Sequence, residues 1–122
     1  MAWYPTNIGG NGGGEVVAAA LSGQAKQHDT VTVTMPKAGT CHVVIVYPAT
    51  YGTNANAAYT TFSGVATAWA TGPTKLTNEN DGADICVEYG TIEVTAAGTL
   101  TMYIDWKTNN RTTSQAFYYL IM

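Results

Sequence analysis

Charged side chains are scarce in this sequence. Lys and Arg number five and Asp and Glu number eight among 122 residues, so charged residues make up 11% of the chain, less than half of the roughly 25% typical of globular proteins. The basic residues are scattered, which excludes a patch that could follow a nucleic-acid backbone. A surface with so little charge has weak electrostatic protection against association, so we expect neighbouring subunits to cover part of it.

Long apolar runs and a secretory signal are also missing. No stretch approaches the roughly 20 apolar residues of a membrane helix, and the opening MAWYPTNIGGNGGGE has no basic region followed by an apolar core. We therefore expect a soluble protein that is made in a cytoplasm and has no membrane partner. In that reducing compartment Cys41 and Cys86 are expected to be two small buried thiols rather than a disulfide.

Residues that could support catalysis or bind a metal are few and poorly spaced. His42 follows Cys41 in a predicted strand, where adjacent side chains point to opposite faces. The acidic segment TNENDGAD has the oxygen-rich composition of a calcium loop, but its spacing does not match the EF-hand, and a solvated turn is the preferred interpretation. No Gly-x-Ser-x-Gly, P-loop or His-Glu-x-x-His motif occurs. We expect a protein without enzyme activity, cofactor or metal.

Strand periodicity is what the sequence has in abundance. Between Gly90 and Trp106 apolar and polar side chains alternate strictly, apart from a short interruption at residues 96–98. This period of two predicts two strands, each with one apolar face. We expect them to pair as a hairpin, with Val94 opposite Leu100 and Ile92 opposite Met102.

Similar patterns predict further strands along the chain. They lie at residues 15–23, where a helical turn is the alternative, and at 30–35, 41–47, 64–71, 85–89 and 115–122. The segment 41–47 is apolar on both faces apart from His42, so we expect a central strand covered on both sides, either within one subunit or by a partner. The polar segment 72–84 is expected to be a connection. Together these patterns predict an all-β protein, an antiparallel β-sandwich of jelly-roll type, over residues 15–122.

The first fourteen residues differ from the rest in composition. The run IGGNGGG cannot form a core and is costly to order, so residues 1–14 are expected to form a flexible, glycine-rich N-terminal arm. Trp3, Tyr4 and Pro5 near its tip are candidates for docking on a partner. A terminus without a role is the alternative interpretation.

A long loop is predicted after Pro48, in the segment ATYGTNANAAY. Aromatic and amide side chains in this loop could stack on a sugar ring and hydrogen-bond to its hydroxyl groups. A carbohydrate- or receptor-binding module is therefore the alternative function, with a possible glycan partner. Its candidate ligand residues are Tyr51, Asn54, Asn56 and Tyr59.

The last third of the chain resembles domains of bacteriophage virion proteins. The segment GTIEVTAAGTLTMYIDWKTNN, a threonine-rich turn and the final strand AFYYLIM are similar to the last strands of small β-sandwich domains in tail fibres and head-decorating proteins. Many of these domains are trimeric jelly rolls similar to the fold of tumour necrosis factor and C1q. The resemblance implies a subunit contact built from Gly98, Thr99, Phe117, Tyr118, Tyr119, Leu120 and Ile121.

Composition and resemblance lead to the same expected function. The chain is expected to be a non-enzymatic viral structural protein, a homotrimeric capsid decoration or head-fibre component located in the virion. Its partners would be copies of itself and the major capsid protein or another virion protein. No shaft or repeat precedes the sandwich, which favours a short accessory protein over a fibre tip.

Overall fold

Eight strands make up the part of the protein that the structure describes. The structure is a computed structural model and describes residues 14–49, 59–78, 84–106 and 113–122. In these residues the chain forms strands and no helix, which confirms the all-β prediction. The strands are β1 (Val16–Leu21), β2 (His28–Met35), β3 (Gly39–Ala49), β4 (Thr61–Gly64), β5 (Trp69–Asn78), β6 (Asp84–Val94), β7 (Gly98–Asp105) and β8 (Phe117–Ile121).

The strands form two antiparallel sheets. One sheet has five strands in the order β1-β8-β3-β6-β5, and the other has three in the order β2-β7-β4. Side chains from both sheets meet in one buried core, so the predicted β-sandwich is confirmed. The predicted strand at 15–23 is β1 and not a helical turn. The largest fully buried side chains include Trp106, Tyr47, Met35, Ile45, Ile92, Leu100, Met102, Ile104 and Leu120.

The predicted hairpin between residues 90 and 106 is wrong. Strand β6 pairs with β3 and β5, whereas β7 pairs with β2 and β4 in the other sheet. Residues 95–97 therefore carry the chain from one sheet to the other. The apolar face itself is confirmed, because Ile92, Val94, Leu100 and Met102 are all buried. Alternation fixes which side chains enter the core, but two strands facing each other across the core show the same alternation as two paired strands.

The boundaries around β4 and β5 also differ from the prediction. A single strand at 64–71 was expected, but β4 ends at Gly64 and β5 begins at Trp69. Gly64 has a φ of 91°, which favours glycine and ends the strand. The predicted connection over 72–84 is wrong in its first part, because β5 continues to Asn78. As an edge strand, β5 can be polar and interrupted, so its pattern is weak.

Strand β3 is central, as predicted, and lies between β6 and β8. Its inward side chains Cys41, Val43, Ile45 and Tyr47 are buried. On the other face Val44 and Val46 are half-buried and His42 is exposed. Within one chain, the inward face of β3 is therefore fully covered, whereas its outward face is covered only in part. Cys41 and Cys86 are both buried thiols that form no disulfide, as expected.

Candidate functional surfaces

The outer face of the three-stranded sheet is covered by hydroxyl groups. Residues paired across neighbouring strands share a face, and the register places Thr32 beside Thr101 and Thr101 beside Ser63. Thr30, Tyr103 and Thr61 form the adjacent row. Short polar side chains of this kind are well suited to contact with water.

The outer face of the five-stranded sheet carries a strip of apolar side chains instead. One row of neighbours crosses all five strands, and we call it the apolar row. Each residue in the row is paired with a residue on the adjacent strand. The row consists of Leu21, Phe117, Val46, Val87 and Leu76, in that order across β1, β8, β3, β6 and β5.

Exposed apolar side chains are concentrated on this face. Of the nine large hydrophobic side chains that are exposed in the described residues, seven lie here, so their distribution is not scattered. Leu21 and Leu76, at the two ends of the apolar row, are 58% and 56% exposed. The row beside it is also uncharged and contains Ala19, Tyr119, Val44, Tyr89 and Thr74. Contiguous exposed apolar surface of this kind marks an interaction site.

A shallow groove opens on the same face, at the side of the sheet formed by β3, β6 and β5. It encloses about 370 Å³, and Gly72 and Gly90 contribute no side chain to it. The hydroxyl oxygens of Thr71 and Thr91 lie 2.6 Å apart and share a hydrogen bond. We call this the threonine groove. Besides the two glycines it is lined by His42, Val43, Val44, Thr71, Thr74, Tyr89 and Thr91.

A buried polar cluster lies inside the sandwich, and its centre is Glu88. The Glu88 carboxylate accepts a hydrogen bond of 2.5 Å from the Tyr47 hydroxyl and one of 2.8 Å from the Thr60 backbone N–H. The Lys75 ammonium lies 3.6 Å from the same carboxylate, and both side chains are buried. Glu88 therefore joins β6 to the residue that precedes β4, which links the two sheets.

Neighbouring groups determine the charge and protonation of this cluster. The Lys75 ammonium lies 4.6 Å from the centre of the Tyr59 ring, a cation–π contact. Burial first, and then the charge of Glu88, raises the pKa of the Tyr47 hydroxyl well above its ordinary value. Tyr47 therefore remains a hydrogen-bond donor at neutral pH. The Thr60 hydroxyl is buried without a hydrogen-bond partner among the described residues.

The residues predicted for docking and ligand binding are described in part. Trp3, Tyr4 and Pro5 lie outside the described residues, as do Tyr51, Asn54 and Asn56. Tyr59 is described and 46% exposed, and Lys75 occupies one face of its ring.

The predicted subunit contact is divided between different surfaces. Phe117 and Tyr119 are exposed on the outer face of the five-stranded sheet, and Ile121 is half-buried. Tyr118 and Leu120 face the core and are buried, so they offer a second subunit no surface. Gly98 and Thr99 begin β7 in the other sheet. In the described structure these residues do not form one surface.

Sequence reasoning missed two features of these surfaces. Lys75 and Glu88 were not identified as a pair, although a glutamate in the apolar strand ICVEY is a sign of a buried partner. The apolar row was missed because its members come from five separate strands, none of which is unusual by itself.

Metal-binding clusters and membrane-spanning helices are absent from the residues that the structure describes. There, no group of three or more His, Cys, Asp and Glu side chains could hold a metal ion. Among the same residues, no helix is long and apolar enough to cross a membrane. Glu79 and Asp81 of the acidic segment fall outside the description.

Comparison of the chain with protein-family models, with curated proteins and with solved structures finds no match.

Proposed function

We propose that this protein is a non-enzymatic structural subunit that assembles as a homotrimer and decorates a virus particle. The observation that carries the proposal is the apolar row, which spans the full width of the five-stranded sheet. Burying apolar surface contributes roughly 25 cal/mol per Å², so a face of this composition favours contact over exposure to water. The hydroxyl-covered face of the other sheet remains for solvent.

Another copy of the same chain fits this face well. The apolar row carries no charge, so the partner needs no charges of opposite sign. The whole chain is poor in charge, and two copies can therefore meet without strong repulsion. In a trimer each subunit would place a different surface against the next subunit's apolar row, because a closed ring of three uses one repeated heterologous contact.

The connectivity of the strands supports a jelly-roll interpretation of the sandwich. Six of the seven connections between successive strands pass from one sheet to the other, and β5 to β6 is the exception. A jelly roll is also built from eight strands in two sheets. The uneven division into five and three results from β5, which pairs with β6.

Attachment to a particle would use several weak contacts at once. Three copies joined in one assembly would present three N-terminal segments, each with Trp3, Tyr4 and Pro5. Linked contacts hold far more firmly than single ones, because each bound segment raises the local concentration of the others. The resemblance of the C-terminal strands to virion domains is the reason for proposing a virus particle.

The mass of the protein in solution tests the assembly. Light scattering at micromolar concentration should give three times the 12.9 kDa of one chain. Replacing Leu21 and Leu76 by Lys puts two charges on the apolar row at exposed positions, and this variant should dissociate to a folded monomer. Thr32→Lys, on the outer face of the other sheet, is the matched control and should remain trimeric. A monomeric unmodified chain would overturn the assembly.

The particle itself needs a separate test. Immunogold electron microscopy with an antibody against this chain should label the shell or fibres of virions purified from the source of the sequence. Unlabelled virions would overturn decoration, whatever the mass measurement gives.

A further inference from the structure

The shape of the threonine groove results from an irregularity in the backbone pairing of β5 with β6. The pairing of β5 with β6 shifts between Thr71 and Thr74, so that two residues of β5 stand opposite Gly90. One of them, Gly72, has a φ of 77°, which other residues rarely adopt. A Cβ atom at Gly90 would collide with the Thr71 carbonyl oxygen. Two glycines thus let the strands approach closely and leave a depression on the outer face.

Protection of the sheet edge explains part of this arrangement. A bulge and a proline on an edge strand hinder unwanted pairing, and Pro73 follows Gly72. Edge protection does not require a concave surface lined by an aromatic ring and hydroxyl groups. The lining of the groove therefore calls for a second explanation.

The chemistry of the groove favours a neutral, hydroxyl-rich ligand. Tyr89 is 41% exposed and can present its ring to the apolar face of a sugar. The paired Thr71 and Thr91 hydroxyls, Thr74 and the exposed His42 offer both donors and acceptors. Among the described residues, none of Asp, Glu, Lys and Arg lines the groove. The described lining therefore has no side chain that would favour a charged ligand over a neutral one.

We propose that the threonine groove binds a neutral pyranose saccharide. The sugar would stack on Tyr89 and form hydrogen bonds with Thr71, Thr91 and His42. This inference goes beyond the proposed assembly and does not depend on it. The groove and the apolar row have no residue in common, and Tyr89 and Thr74 of the groove lie beside the row rather than in it. It would give a structural subunit the ability to recognise a glycan surface. The binding residues differ from those predicted in the loop after Pro48.

Nuclear magnetic resonance titration of the full chain tests the proposal. The probes are the methyl glycosides of glucose, galactose, mannose and N-acetylglucosamine, each added to millimolar concentration. At least one should shift the amide resonances of residues 42, 71, 74, 89 and 91 in a saturable way. Tyr89→Ala should weaken that binding at least about fivefold, as expected for an aromatic contact at the centre of a site. Thr91→Val keeps the shape, removes one hydroxyl and should also weaken binding.

Tyr103 provides a matched control on the opposite face. It is 38% exposed, similar to Tyr89, and its ring lies 4.9 Å from that of His28, but the groove residues do not surround it. Tyr103→Ala should leave saccharide binding unchanged. Binding that survives both groove variants, or that is lost equally in Tyr103→Ala, would overturn the proposal, as would four probes without effect. The mass in solution, measured on the same samples, reports the assembly independently.

Discussion

The hydroxyl of Tyr47 donates a hydrogen bond of 2.5 Å to the carboxylate of Glu88, and both side chains are almost completely buried. The two residues lie diagonally across neighbouring strands, β3 and β6, because Tyr47 is paired with Cys86, two residues before Glu88. Glu88 also accepts the Thr60 N–H, and so one buried acid connects both sheets. A buried charge is costly unless every oxygen has a partner, which makes this cluster sensitive to the loss of any member.

Tyr47→Phe removes one donor and leaves the rest of the ring in place. The Glu88 carboxylate would then lack its shortest hydrogen bond in a site without water contact. We expect the free energy of unfolding to fall by about 1 to 3 kcal/mol, as for other buried groups left unsatisfied. Urea denaturation followed by tryptophan fluorescence measures this change. Tyr103→Phe, on the exposed outer face, should change stability little, and equal losses in the two variants would contradict the prediction.

Lys75→Met tests the buried ion pair. Without the ammonium, Glu88 would be a buried charge with no opposite charge beside it at 3.6 Å. Breaking such a pair from one side costs about 3 to 5 kcal/mol, so we expect a loss in that range. Glu88→Gln in the same chain removes the uncompensated charge and should restore part of the stability. A double variant whose loss equals the sum of the single losses would show that the two side chains are not coupled.

Much of the core could be predicted from alternation, and the pairing of strands could not. Ile92, Val94, Leu100 and Met102 were correctly placed on one buried face. Their strands were assigned to the same sheet because a short turn between two strands usually makes a hairpin. A sandwich offers the alternative of crossing to the other sheet, and the same residues are buried in both cases.

The candidate surfaces were harder to predict because they depend on register. The exposed apolar pattern of Phe117 and Tyr119 was visible in the final strand. Leu21, on one edge strand, is paired directly with Phe117, whereas Leu76, on the other edge strand, is separated from Phe117 by β3 and β6. The Lys75–Glu88 pair is hidden for the same reason, since it joins residues of β5 and β6 that stand opposite each other.

The thiol of Cys41 should make stability depend on alkaline pH. Burial raises its pKa from 9.0 to about 11, and a hydrogen bond with the backbone of Ile121 opposes part of that rise. The unfolded chain therefore loses this proton before the folded chain does, and stability present below pH 9 falls as pH rises toward 11. A rise in the thiol pKa from 9.0 to about 11 corresponds to a loss of about 2 to 3 kcal/mol once the pH exceeds both values.

Cys41→Val separates this effect from that of Tyr47. The raised pKa of Tyr47 begins to lower stability above pH 10, the ordinary tyrosine value. Between pH 9 and 10 the Cys41 thiol should therefore account for most of the decline in the stability of the unmodified protein. Urea denaturation at intervals from pH 8 to 10.5 should show a smaller decline in the valine variant. Parallel curves for the two proteins would contradict the assignment to Cys41.

Gly90→Ala tests the close approach of β5 to β6 that forms the threonine groove. The added Cβ atom would collide with the Thr71 carbonyl oxygen and lie 3.0 Å from the Trp69 ring. Because the first contact is with backbone, β5 must move away and weaken its pairing between Thr71 and Thr91. We expect a loss of about 1 to 3 kcal/mol, typical of overpacking, measured by urea denaturation. Thr91→Ala, in the same strand, changes an outward side chain without crowding and should cost less. Because the displaced strand also opens the groove, hydrogen exchange should accelerate at the backbone amides of residues 89–91 in the Gly90→Ala variant. Unchanged exchange together with full stability would show that the strands have room for a side chain there.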